Sequence, residues 1–134
     1  MSQSPTIDYA NLPTPPVCVA DFCLIPIGTP SPSVSAEIAA VQRLMRVSGL
    51  SFGMHSAGTT VEGSWDDVMR LIGQAHTLVH QNGVLRVQTD IRVGSRTDKK
   101  QHFSEKVSKV ESILAGDEPH IKKSSTFGEG EKEA

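Results

Sequence analysis

The densest group of residues with chemical potential is His55-Ser56-Ala57-Gly58-Thr59-Thr60-Val61-Glu62-Gly63. It holds an imidazole, hydroxyls and a carboxylate between two glycines that permit tight turns. A carboxylate such as Glu62 beside the start of a helix can accept hydrogen bonds from free backbone amides. Thr59 can donate and accept. The plainer role, holding a turn and a helix entry, suits the same pair and is the one that physics alone favours. His55 has the side chain for acid–base work near neutral pH, but no nucleophile partner is identifiable in the sequence. A second polar loop, Gly28-Thr29-Pro30-Ser31-Pro32-Ser33-Val34-Ser35, can cap a helix or meet a small polar ligand. It lacks the glycine spacing and the lysine of a phosphate loop. His76 and His80 stand four apart, a spacing that suits a metal on a helix, yet no glutamate or third ligand accompanies them. Arg86, Asp90, Arg92 and Arg96 form an alternating charge stripe, suited to ion pairing or to a charged or zwitterionic ligand. No Ser-His-Asp signature, dinucleotide fingerprint or paired-cysteine zinc motif is present.

These residues need elements to position them, and hydrophobic periodicity supplies the order. Val17–Ile27 reads as a strand ending at Pro26 and the Gly28-Thr29-Pro30 break. Ser33–Ser48 reads as a helix with Val34, Ile38, Val41 and Met45 on one face, stopped by Gly49. Leu50–Ser56 and Thr59–Gly63 form two short strands around Ala57-Gly58. Ser64, with Asp67 three residues on, opens a second helix whose stripe is Val68, Leu71, Ile72, Ala75 and Val79, stopped by Gly83. Val84–Val93 alternates, with Leu85, Val87, Thr89, Ile91 and Val93 on one side and Arg86, Gln88, Asp90 and Arg92 on the other. A last helix is expected from about Asp98 to Ala115, with Phe103, Val107, Val110 and Leu114 as its stripe. The order β-α-β-β-α-β plus a helix predicts an α+β, ferredoxin-like sandwich. Helices cover one face of its antiparallel sheet, and the other face must meet water or a partner.

Length and charge narrow the classes. The chain has 134 residues, room for one domain. Residues 1–16 hold four prolines and 117–134 hold five acids and three bases with little to bury, so both ends read as disordered tails around a folding unit over 17–116. So small a unit has a limited core, which favours self-association to a dimer or tetramer. A net charge of −2 removes the electrostatic case for nucleic acid or an anionic membrane. No apolar run reaches the roughly 18 residues of a membrane span, and the N-terminus has no signal-peptide pattern; a cytoplasmic or nuclear protein is the default, and cytoplasmic is the expectation. Cys18 and Cys23, five residues apart on one strand, would sit about 16 Å apart on opposite faces. They cannot form a disulfide there.

Three segments, IPIGTPSPSVSAEIAAVQ, GMHSAGTTVEGSWDDVM and GVLRVQTDIRVGSRTDKKQHFSEKVSKV, together resemble the small thiamine-binding protein family, once an uncharacterised protein family and related to YkoF-type proteins that bind thiamine and its hydroxymethylpyrimidine moiety. The resemblance spans essentially all of 17–116. Its most specific part is Gly58-Thr59-x-x-Glu62-Gly63, followed by Arg86-Val87-x-Thr89-x-Ile91 with Arg96, and by Ser33 and Ser35. Pro30, Pro32 and Gly94-Ser95 depart from the family pattern. The resemblance implies a ferredoxin-like fold, sheet-to-sheet dimers and often tetramers, and a non-enzymatic small-molecule site near a subunit surface with no bound cofactor. Ser33, Ser35 or Thr59 would meet the aminopyrimidine; Glu62 or Asp90 would meet the thiazolium cation, since an unpaired buried charge is costly. Arg86 and Arg96 complete the expected set. Two other functions compete: an oligomeric interaction protein without a ligand, and an enzyme of thiamine or pyrimidine metabolism using His55 with Glu62.

Overall fold

The computed structural model describes residues 6–100 and 102–117. Its elements run β1 (Cys18–Ile27), α1 (Ser35–Val47), β2 (Ser51–His55), β3 (Gly58–Gly63), α2 (Trp65–Gln81), β4 (Arg86–Gly94) and α3 (Phe103–Gly116). The four strands form one sheet in the order β2-β3-β1-β4, every pairing antiparallel. This is the expected ferredoxin-like arrangement with an added helix.

β1 lies at the centre because its sequence is apolar on both faces. Cys18, Ala20 and Phe22 point into the core; Val19, Asp21 and Cys23 point the other way. The cysteines are thus parted onto opposite faces and both are free, and burial pushes the Cys18 thiol up. α2 packs Val68, Leu71, Ile72, Ala75 and Val79 against this face, and α1 adds Ala40, Val41 and Met45. The α2 start forms as its sequence predicts: Ser64 Oγ accepts from the Asp67 amide at 3.1 Å. Gly83, at φ 97°, supplies its left-handed exit.

Three boundaries shift. α1 begins at Ser35, two residues later than expected, because Ser33 Oγ accepts from the Ser35 amide and closes a local turn first. β4 begins at Arg86 rather than Val84. Val84 is still tied to the end of α2, its amide to the Val79 carbonyl and its carbonyl to His80 Nδ1, and Leu85 stands 89% exposed. α3 begins at Phe103 rather than Asp98, whose carboxylate is taken by Arg96; His102 Nδ1 caps the helix instead, accepting from the Ser104 amide at 3.2 Å. The α3 stripe residues Val107, Val110 and Leu114 are exposed.

Residues 8–16, within the stretch expected to be a tail, have defined contacts. Tyr9–Asn11 make one 3-10 turn. The Pro15 carbonyl accepts the Trp65 amide at 3.2 Å, and Thr14 donates to Asp66 at 2.8 Å. Trp65 is the first residue of α2, so Pro15 occupies one of the helix's orphan donors. Residues 1–5 and 118–134, the rest of the expected tails, lie outside the described residues.

Candidate ligand site

Unequal strand lengths create a notch in the sheet. β1 has ten residues, but β3 pairs only with Cys18 to Phe22, so from Cys23 onward β1 keeps only its β4 neighbour. Pro26 is tolerated there because that stretch is an edge. The β2–β3 turn and α1 close around the notch and leave a pocket of about 130 Å³. Phe22 and Leu24 of β1, Ile38 and Val41 of α1, and Met54 of β2 give apolar walls. Ile38 and Met54 are 39% and 62% exposed. Ile38 belongs to the α1 stripe but faces the pocket instead of packing, as Val41 and Met45 do.

Gly58 explains how the polar wall is set. A Cβ there would stand 2.5 Å from the Phe22 carbonyl oxygen, a backbone atom that cannot move aside alone. Only glycine lets β3 approach β1 so closely at this end. The next residue, Thr59, is thereby buried at 4% exposure. Its hydroxyl is satisfied by Gln42 of α1, whose Nε2 donates to Thr59 Oγ1 at 2.9 Å.

His55 lines the same pocket at the end of β2. Its Nδ1 accepts from the Ala57 amide at 3.2 Å, so the neutral ring carries its proton on Nε2 and donates to Asp21 Oδ1 at 2.6 Å. Both ring nitrogens are therefore engaged, one holding the turn and one holding Asp21. Asp21 projects from the open face, where the Thr60 hydroxyl also approaches it.

The expected site residues separate onto three places. Thr59 lies in the pocket. Glu62 lies on the open face, level with Val19 and Ser51, because three residues along a strand is an odd step. Arg86 and Asp90 lie on that same face of β4, level with Ile27 and Cys23. Asp90, Asp21, Cys23 and Arg92 edge a wider, shallower hollow of about 240 Å³ there. Cys23 lines both the hollow and the pocket. Ser33 and Ser35 sit at the α1 start with their hydroxyls 3.1 Å apart, outside the pocket lining. Arg96 lies beyond β4 and grips Asp98 through Nε and a terminal nitrogen at 2.7 and 2.5 Å, which holds the Asp98 carboxyl far below the usual carboxylate range. Gln42 and Asp21 were not singled out from the sequence. Asp21 had a signal, as the one charge in an otherwise apolar strand; Gln42 had none. His76 and His80 are held separately, by Thr89 and by the Val84 carbonyl, and no metal-ligand cluster exists among the described residues.

Comparison with known proteins fits this geometry. A family profile described as thiamine-binding protein matches residues 20–111, a span that contains the whole sheet-and-pocket assembly apart from the first two residues of β1. The chain belongs to the thiamine-binding protein family. UPF0045 protein ECM15 of Eremothecium gossypii is 47% identical over 97 residues, covering 72% of this chain and 92% of that one. UPF0045 protein YqgV of Bacillus subtilis is 35% identical, covering 73% and 98%. Among solved structures, the hypothetical protein MJ1052 of Methanocaldococcus jannaschii superposes with a TM-score of 0.64 at 26% identity, over 72% of this chain and 97% of that one. A Thermotoga maritima protein provisionally described as one of thiamine biosynthesis or salvage superposes with a TM-score of 0.61 at 18% identity, over 71% and 99%, and shares the fold. Within this thiamine-binding family member, no helix among the described residues is long and apolar enough to cross a membrane.

Proposed function

We propose that this protein binds thiamine, or its hydroxymethylpyrimidine moiety, and releases it unchanged. The observation that carries this reading is one polar pair, Thr59 and Gln42, set into an apolar slot at the family's glycine–threonine motif. The slot's size is in keeping with it. An engineered apolar cavity of about 150 Å³ admits benzene, and a pocket of about 130 Å³ suits one six-membered heterocycle. A thiazolium attached to that ring would extend past His55 to Asp21, whose carboxylate offsets its positive charge. The family description and the Thermotoga maritima neighbour's description both support thiamine chemistry.

The open sheet face is proposed to meet the same face of a second copy. It mixes Val19, Ile25 and Ile27 with three acids and two bases, Asp21, Glu62, Asp90, Arg86 and Arg92, and a face of mixed charge can pair with itself when turned about a two-fold axis. Cys23 lines both the pocket and the hollow on this face, which supports a site next to the proposed contact. Two free thiols suit a reducing, cytoplasmic compartment.

Isothermal titration of the purified chain with thiamine and with hydroxymethylpyrimidine tests the ligand. Saturable binding of at least one is expected, and its absence at millimolar ligand overturns the reading. Mass spectrometry of the ligand after long incubation should recover it intact; accumulation of a product would show an enzyme instead.

A further inference from the structure

Resting on the ligand reading above, we propose that Gln42 is the residue that selects the ring, by pairing with an amino group and the ring nitrogen beside it. It closes the first of the three family-like segments, where no feature of the sequence marks it as a ligand contact. Gln42 sits on α1 directly after buried Val41, at the border of the apolar stripe, and its amide reaches the pocket wall from the helix side.

Its hydrogen bonding leaves a defined edge. A primary amide has two N–H donors and an oxygen with two lone pairs. One N–H is spent on Thr59 Oγ1 at 2.9 Å. Made through the N–H that points away from Oε1, that contact leaves the second N–H and Oε1 side by side. No buried side-chain nitrogen or oxygen lacks a partner among the described residues, so this edge meets open space rather than closed core. Of the other polar side chains lining the pocket, His55 has both ring nitrogens engaged, and Ser56 belongs to the β2–β3 turn.

An adjacent acceptor and donor on one amide recognise a heterocycle whose edge presents an amino donor next to a ring-nitrogen acceptor. Glutamine reads adenine through this bidentate pairing, at about 1–3 kcal/mol of discrimination per pair, or about five- to 150-fold. A 4-aminopyrimidine offers a comparable pair, its amino group and the ring nitrogen N3 beside it. A pyrimidine without the amino group leaves Oε1 unpaired against an apolar wall, and such a site rejects it. The class of ligand is therefore an amino-substituted six-membered N-heterocycle rather than any flat ring of that size.

The test is a cycle of two rings and three proteins by isothermal titration, using hydroxymethylpyrimidine and its analogue lacking the 4-amino group. The wild-type chain should bind the amino ring about tenfold or more tightly than the des-amino ring. Gln42→Leu should lose that preference, binding both rings at the weaker level. Gln42→Glu keeps the shape and an acceptor but removes the N–H donors, so it should also bind the amino ring about tenfold more weakly; it guards against a packing defect in the leucine variant. If the wild-type chain binds hydroxymethylpyrimidine but both variants keep its affinity and ring preference, the role of Gln42 is overturned and the ligand reading stands. If the wild-type chain binds neither hydroxymethylpyrimidine nor thiamine, the ligand reading falls and the role of Gln42 with it.

Discussion

The two faces of this sheet come from the same four strands and do opposite work. The covered face is apolar along β1 and β3, and the helices bury it: Ala20, Val61, Met45, Val68 and Val79 are fully enclosed. The open face carries Asp21, Thr60, Glu62, Arg86, Asp90 and Arg92, together with isolated aliphatics. Alternation along a strand makes both from one sequence. The difference teaches that stability should reside on one face, and recognition in the notch where that face stops being covered.

The hardest blow to that division is a cavity on the covered side. Met45 is 0% exposed, between α1 and the sheet. Met45→Ala should cost about 2–5 kcal/mol by denaturant unfolding. A cost below about 1 kcal/mol would mean that the helices are not the main source of stability.

Gly58→Ala tests the junction between core and notch. The added Cβ would press on the Phe22 carbonyl from 2.5 Å, forcing β3 away from β1. A loss of about 1–3 kcal/mol is expected, with weakened thiamine binding because Thr59 moves too. Binding that survives a destabilised hairpin would separate the pocket from this close approach. Ser64→Ala, at the far end of β3, removes only a helix cap and should cost about 1 kcal/mol with binding intact.

How far the sequence carries depends on the range of the contacts. α2 was legible to its cap, because Ser64, Asp67 and a five-residue stripe are all local signals. β1, β3 and the face pattern of β4 were legible for the same reason. The partition of the site was half legible: an odd step between Thr59 and Glu62 already puts them on opposite faces of a strand, although both flank one turn in sequence. Gln42 was not legible. It meets Thr59 across 17 residues, and a glutamine beside an apolar stripe looks like any solvated helix position until the sheet is placed against it. α3 begins at Phe103, past the expected Asp98, whose carboxylate is drawn to Arg96.

A smaller effect lies in acid. His76 of α2 touches Thr89 of β4 at 2.6 Å, and its pKa is lowered from 6.5 by burial first and by nearby His80 second. A group whose folded pKa is depressed loses stability as the pH falls from its unfolded value, near 6.5, through the lower folded value. The thermal midpoint should therefore drift down below that pH. His76→Gln should reduce the slope; an unchanged slope would assign the drift to other groups.

The least effect on folding is expected from the open face, and it sets the sharpest contrast with Met45. Ile25 is 37% exposed and lies opposite Gln88 on β4. Ile25→Lys should change the unfolding free energy of the monomer by no more than about 0.5 kcal/mol, the range of ordinary surface changes. If two copies meet on this face, the same substitution buries a third positive charge beside Arg86 and Arg92 without adding an acid, and light scattering should show a shift toward monomer. The readouts must be compared at several concentrations, because a dimer raises apparent stability by mass action. A stability loss that disappears on dilution belongs to assembly. A loss of the same size at every concentration would place Ile25 in the folding core and erase the division between the two faces.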